Sequence, residues 1–191
     1  MPRALILAES PAAPEPLRMG LLGLGYNVVD ELDDASRLVR RASAVEPDII
    51  LITTGSPSGA LLAAAAALDQ HAPMPVLAYA QDADADRMEK MIRCGIHTCV
   101  VDGFSARRLP GLIAETRARF KLMHELTAQV RDANARLEER KLIDRAKGIL
   151  MQSKNMSEDA AYTALRSLAM DKKQKIGAVA EQIITAARLL A

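Results

Sequence analysis

Five short runs of β-branched and aliphatic residues, each followed by a stretch with helical periodicity, occupy the first 115 of 191 residues. The runs are Ala4–Ala8, Asn27–Asp30, Asp48–Thr53, Pro75–Tyr79 and Thr98–Val101. The helical stretches lie near Ala13–Leu24, Ala35–Val45, Gly59–Gln70, Ala83–Cys94 and Ser105–Glu115. Strands that read as unbroken apolar runs need cover on both faces, and strands alternating with helices form a parallel sheet between two helical layers. The alternation therefore predicts an α/β chain whose residues 1–115 form a five-stranded doubly wound domain. Any ligand would sit at the C-terminal strand ends.

Beyond Leu112 the pattern changes, because the chain has no further Pro and only Gly148 and Gly177 as glycines. This predicts helix to the end. Met123, Leu126, Val130, Ala133 and Leu137 recur at spacings of 3, 4, 3 and 4, a heptad stripe flanked by charge, so residues 116–140 are expected to be a coiled-coil linker helix that dimerises. Residues 141–191 divide into three helices at Lys154-Asn155-Met156 and at Asp171-Lys172-Lys173-Gln174. Ser157 can cap the second of them, with Glu158 and Asp159 favouring its positive end. The expected core is Leu142, Ala146 and Ile149 on the first helix and Ala161, Ala164, Leu165 and Leu168 on the second. The third contributes Ile176, Ala180, Ile183, Ala187 and Leu190.

The formal net charge of +1 hides an asymmetry. Residues 1–110 carry 10 basic and 14 acidic side chains, whereas residues 111–191 carry 15 and 10. A small basic helical domain has the electrostatic footprint of a polyphosphate binder. Its outward faces combine charge with a ring and a flat spot: Lys141, Arg145 and Gly148 with Lys147 beside them, then Tyr162, Arg166, Ala169 and Lys173, with Lys172 at the second break. Guanidinium and aromatic planes at helical spacing suit single-stranded RNA loops, which are held by stacking and phosphate contacts. Gly148 inside a helix points to close approach by another helix or by a ligand backbone.

Other chemistries find little support. The apolar run Ala60–Leu68 is far too short to span a membrane, and Met1–Ala8 is too short for a signal peptide, which implies cytoplasmic residence. Cys94 and Cys99 lie in an apolar context without spaced His partners and read as buried thiols, with no metal site. Gly20, Gly23 and Gly25 have the wrong order and follow a helix, so they turn the chain and do not cradle a dinucleotide. No cofactor and no enzymatic activity are expected.

The run Pro47–Ile52, Met74–Leu77 and Gly95–Thr98 resemble the third-, fourth- and fifth-strand signatures of response-regulator receiver domains, which share the flavodoxin-like architecture. That family phosphorylates an Asp beside a Mg²⁺ site. Here the acidic pair aligns with Ala8 and Glu9, the acceptor with Thr53, the hydroxyl position with Ala80 and the phosphate-pairing Lys with Asp102. Without a carboxylate nucleophile the chemistry has no starting point. The expectation is a pseudo-receiver with a degenerate phosphoacceptor pocket. Asp33, Asp34 and Asp48 are expected to be structural.

Ala146–Met151, Ser157–Tyr162, Leu165–Asp171 and Lys175–Ala180 follow in order and resemble the ANTAR domain. The resemblance implies a three-helix module that binds paired stem-loops in nascent leader mRNA and promotes transcription antitermination. The whole chain resembles regulators of the AmiR and NasT type. The ending Ile176-Gly177-x-Val179-Ala180 favours the NasT-like branch and hence nitrate and nitrite assimilation genes. It also implies a small-molecule sensor protein as partner. The alternatives are a DNA-binding response regulator or an amide-responsive antiterminator.

Overall fold

A computed structural model describes residues 1–9, 15–101 and 104–190, the last two without their side chains. It divides into two compact units, Met1–His124 and Glu125–Ala191. The first unit is a parallel sheet of strands β1 (Arg3–Ala8), β2 (Asn27–Leu32), β3 (Ile49–Thr54), β4 (Val76–Ala80) and β5 (Thr98–Val101), in the order β2-β1-β3-β4-β5. Between them run α1 (Glu15–Gly23), α2 (Leu38–Val45), α3 (Gly59–His71) and α4 (Ala85–Arg93). This is the expected receiver-like fold, with β2 extended by two residues to the buried Leu32.

Strand parity sorts the side chains into two cores. Leu5, Leu7, Ile50, Ile52, Val76 and Ala78 meet α2 and α3, together with Met91 of α4. Ala4, Ile6, Ile49, Leu51, Leu77 and Tyr79 meet Leu17 and Leu21 of α1 and Leu109, Leu112 and Ile113 at the start of α5 (Leu109–Lys154). Thr116, fully buried on α5, places its Oγ1 2.7 Å from the Leu112 carbonyl and 2.9 Å from Thr98 Oγ1, tying α5 to β5 within this unit. Asp48 and Asp34 take the structural roles expected of them. Asp48 accepts the Arg3 N–H at 2.6 Å, and Asp34 caps the 3-10 turn Ala35–Arg37.

The second unit holds the rest of α5 with α6 (Glu158–Asp171) and α7 (Ile176–Leu190). The borders expected at residues 115 and 140 both fall inside α5, a helix of 46 residues with no break at either. The helix ends do lie at the expected breaks. Asn155 and Lys173 adopt positive φ of 47° and 52° there, and Ser157 accepts the Ala160 N–H at 3.3 Å as the cap of α6. The core consists of Ala146, Leu165, Ala169, Val179, Ala180 and Ile184, flanked by half-buried Leu142, Ile149 and Leu168. Ala169 thus leaves the outward face assigned to it. Alanine fits either side of an amphipathic helix, and here it lets helices approach closely.

Gly95 has φ of +89°, and a Cβ added to it would lie 2.6 Å from Asp69 Cβ. Gly95→Ala is therefore expected to destabilise the first unit by about 2 kcal/mol or more in urea unfolding, from left-handed strain and overlap together.

Candidate functional site

Two regions were singled out by sequence, one in each unit. In the first unit, Ala8 pairs with Thr53 and Thr54 with Ala80, so these positions adjoin at the C-terminal edge of the sheet. Asp102 lies outside the described residues. Glu9 donates its N–H to the Thr53 carbonyl at 2.9 Å. Its carboxylate accepts from Ser58 Oγ at 3.0 Å and from Thr54 Oγ1 at 3.4 Å. Ser58 Oγ also accepts the Leu61 N–H at 3.0 Å, capping α3. The neighbours of the Glu9 carboxylate are thus neutral hydroxyls, and Thr54 Oγ1 also donates to the Ser56 carbonyl at 3.0 Å. Among the described residues no group of three or more His, Cys, Asp or Glu side chains gathers to hold a metal.

Thr53 is buried and its Oγ1 has no hydrogen-bond partner among the described residues. The same holds for the hydroxyl of Tyr79, its neighbour across the ladder, whose ring meets Phe104 edge-on at 5.6 Å. Burial pushes the Tyr79 phenol up to about 12. A side chain unnoticed in the sequence, Arg87, donates to Ser56 Oγ at 2.9 Å and lies 3.4 Å from Asp82. Only folding brings these α4 and loop residues to one rim, so no local spacing signals them.

The two Cys residues are half-buried free thiols, and burial raises the Cys99 thiol above its ordinary range. Of the three glycines expected to turn the chain, Gly23 ends α1 and Gly25 makes the turn, whereas Gly20 is a packing position within α1. Gly25 takes φ of +77° after α1, and Gly20 lies against Leu109 and Phe104.

In the second unit the basic residues separate into two kinds. Arg145, Arg166 and Lys173 are exposed and form no ion pair among the described residues. Lys141 pairs with Glu138 at 2.7 Å, and Lys172 donates to Gln182 at 2.9 Å, which in turn donates to Gln174. Lys147 is different again. Its side chain is 15% exposed, and Nζ lies 2.8 Å from Asp144 and 2.7 Å from Glu158, bridging α5 to the first turn of α6. These carboxylates raise the Lys147 ammonium above its ordinary value, and Lys147 in turn lowers Asp144.

Close approach by another part of the protein is found at Gly177 and not at Gly148. A Cβ on Gly148 would meet nothing within 4 Å, whereas one on Gly177 would lie 2.9 Å from Glu139 Cγ and Oε1. Tyr162 faces Arg136, Arg140 and Ile143 on α5, residues that the sequence reading left in the linker helix. Their spacing at i, i+4 and i+7 was a visible signal. The heptad residues Met123, Leu126, Val130 and Leu137 are all exposed along α5.

The folds and motifs define a receiver-like domain followed by an ANTAR domain. Residues 131–184 match the ANTAR domain family. Among relatives, transcriptional regulatory protein PdtaR of Mycobacterium tuberculosis is 28% identical over 188 residues, covering 96% of this chain and 90% of that protein. The nitrate regulatory protein of Klebsiella oxytoca is 36% identical over 84 residues, 44% of this chain and 21% of that protein. The signal receiver domain of a modulated diguanylate cyclase from Desulfovibrio desulfuricans superposes with a TM-score of 0.56 at 26% identity, covering 64% of this chain and 98% of that one. The receiver domain of the response regulator NarL from Mycobacterium tuberculosis shares the fold, with a TM-score of 0.54 at 19% identity over 61% of this chain and 95% of that one. Among the described residues no helix is long and apolar enough to cross a membrane.

Tyr79→Phe is expected to keep the fold and hold or raise unfolding free energy by about 1 kcal/mol, because an unpaired buried hydroxyl is removed. A loss of that size would show that the hydroxyl has a partner. The raised phenol also sets a pH window. Its contribution is fully present below the ordinary value of 10.0 and is lost as pH rises towards about 12. The alkaline decline of stability should therefore be shallower in Tyr79→Phe.

Proposed function

We propose that this chain is a non-enzymatic, RNA-binding transcription antiterminator. It grips paired stem-loops in nascent leader mRNA through the second unit. The observation that carries the reading is the coincidence of the ANTAR match with exposed cations, Arg145, Arg166 and Lys173, that pair with no carboxylate among the described residues. Cations already neutralised within a fold release few counterions from RNA, so unpaired ones do most of the binding. Lys141, Lys172 and Gly148 border this surface in the proposal, and Lys147 acts within it by holding α6 against α5.

The exposed stripe of Met123, Leu126, Val130 and Leu137 supports a homodimer through α5. A dimer presents two modules, so the second loop binds at the effective concentration set by the first. The first unit acts in this reading as a pseudo-receiver. Glu9 is satisfied by hydroxyls, Thr53 offers no carboxylate, and control comes from a ligand-sensing protein partner and not from a phosphoryl group. The likeness to the nitrate regulatory protein over 84 residues favours nitrate and nitrite assimilation genes as targets.

Gel shifts with a two-loop leader RNA test the assignment. Arg145→Ala and Arg166→Ala are each expected to weaken binding and to lower the salt slope of log K by about 1. Tighter binding to duplex DNA than to the leader would overturn it. Incubation with acetyl phosphate is expected to leave the protein unmodified, and a stable acyl phosphate would contradict the pseudo-receiver.

A further inference from the structure

Of the three tyrosines, Tyr26 and Tyr79 are buried in the first unit, whereas Tyr162 leaves its ring 45% exposed on α6. The ring closes one side of a groove of about 360 Å³ whose other wall is α5. Arg136, Arg140 and Ile143 line that wall from one helix face. The volume falls in the range that holds small planar ligands.

The chemistry of the groove is mixed in a way that narrows its occupant. Arg136 makes no ion pair among the described residues, and Arg140 reaches Asp144 only at 4.0 Å. Arg136 is thus open to phosphate oxygens, and Arg140, one helical turn on, shares the groove wall with Asp144, its partner. Glu139, also in the lining, rests over Gly177, half-buried and without a hydrogen bond among the described residues. An unpaired carboxylate repels phosphate but accepts from an N–H edge. Ile143 supplies an apolar floor, and the Lys147 bridge to Asp144 and Glu158 fixes the helix turn that carries Tyr162.

We propose that this groove takes one unpaired nucleobase of the bound RNA. The base stacks on Tyr162 and donates its N–H edge to Glu139, while the flanking phosphates meet Arg136 and Arg140. The inference rests on the RNA reading above and adds a recognition subsite that the outward cations Arg145 and Arg166 do not provide. Stacking on an aromatic side chain is sequence-tolerant, and every base has an N–H edge to offer the carboxylate.

The test uses the full chain and five hairpins with one common stem: loops of adenosine, cytidine, guanosine or uridine, and an abasic loop. The wild-type protein is expected to bind at least one base-bearing loop about tenfold or more tightly than the abasic loop. Tyr162→Leu should bring that ratio to within about twofold, and Tyr162→Phe should keep it. Because the chain contains no Trp, Tyr162→Trp gives an independent reading: its emission should be quenched by base-bearing loops and unchanged by the abasic one. Unchanged emission at saturation with every loop, or a preference that survives in Tyr162→Leu, would overturn the groove while leaving RNA binding intact. Failure of all five hairpins to bind more tightly than duplex DNA would instead remove the RNA reading itself.

Discussion

The packing of small residues between α5, α6 and α7 decides what the second unit can present. Ala146, Ala161, Ala169 and Ala180 are buried where the helices meet, with Leu165, Val179 and Ile184 filling the remaining space. Alanine at a crossing brings backbones together and leaves long side chains nowhere to go but outward. Arg145 and Arg166 sit one residue from buried Ala146 and Leu165, and their exposure follows from that register. A bulkier residue at Ala146 would wedge α5 from its neighbours.

The Lys147 bridge shows the same economy in electrostatics. The Lys147 ammonium is paired from two helices at once, by Asp144 and Glu158. At the sheet edge of the first unit the sign is reversed and the solution is different. The Glu9 carboxylate is answered by the hydroxyls of Ser58 and Thr54, groups that carry no charge and need no metal. A phosphoryl switch depends on opposed charges at that edge. The hydroxyl arrangement holds the edge together without them.

Much of this was legible in the chain itself. The five strands declare themselves because buried parallel strands are aliphatic on both faces, and the breaks at Asn155 and Lys173 lie where polar residues interrupt helical periodicity. The motif order placed the C-terminal module. What could not be read were relations between elements. The pairing of Lys147 with Asp144 is local, at i and i+3, but its second partner, Glu158, is eleven residues away on another helix. Gly148 is conspicuous in sequence as a mid-helix glycine, whereas the approach of Glu139 to Gly177 exists only after folding. Ala169 was assigned outward since nothing local distinguishes a core alanine from a surface one. Arg136 and Arg140 were passed over because they were counted with the linker helix, although the helix runs on without interruption.

The central claim, that the second unit reads RNA, is tested most directly by ultraviolet crosslinking in the native cell followed by sequencing of the nucleic acid bound to the full-length protein. The account predicts recovery of RNA concentrated in leader segments upstream of a few operons, with crosslinks at unpaired loop positions. Recovery of RNA in proportion to total transcripts, or of DNA without RNA, would contradict it.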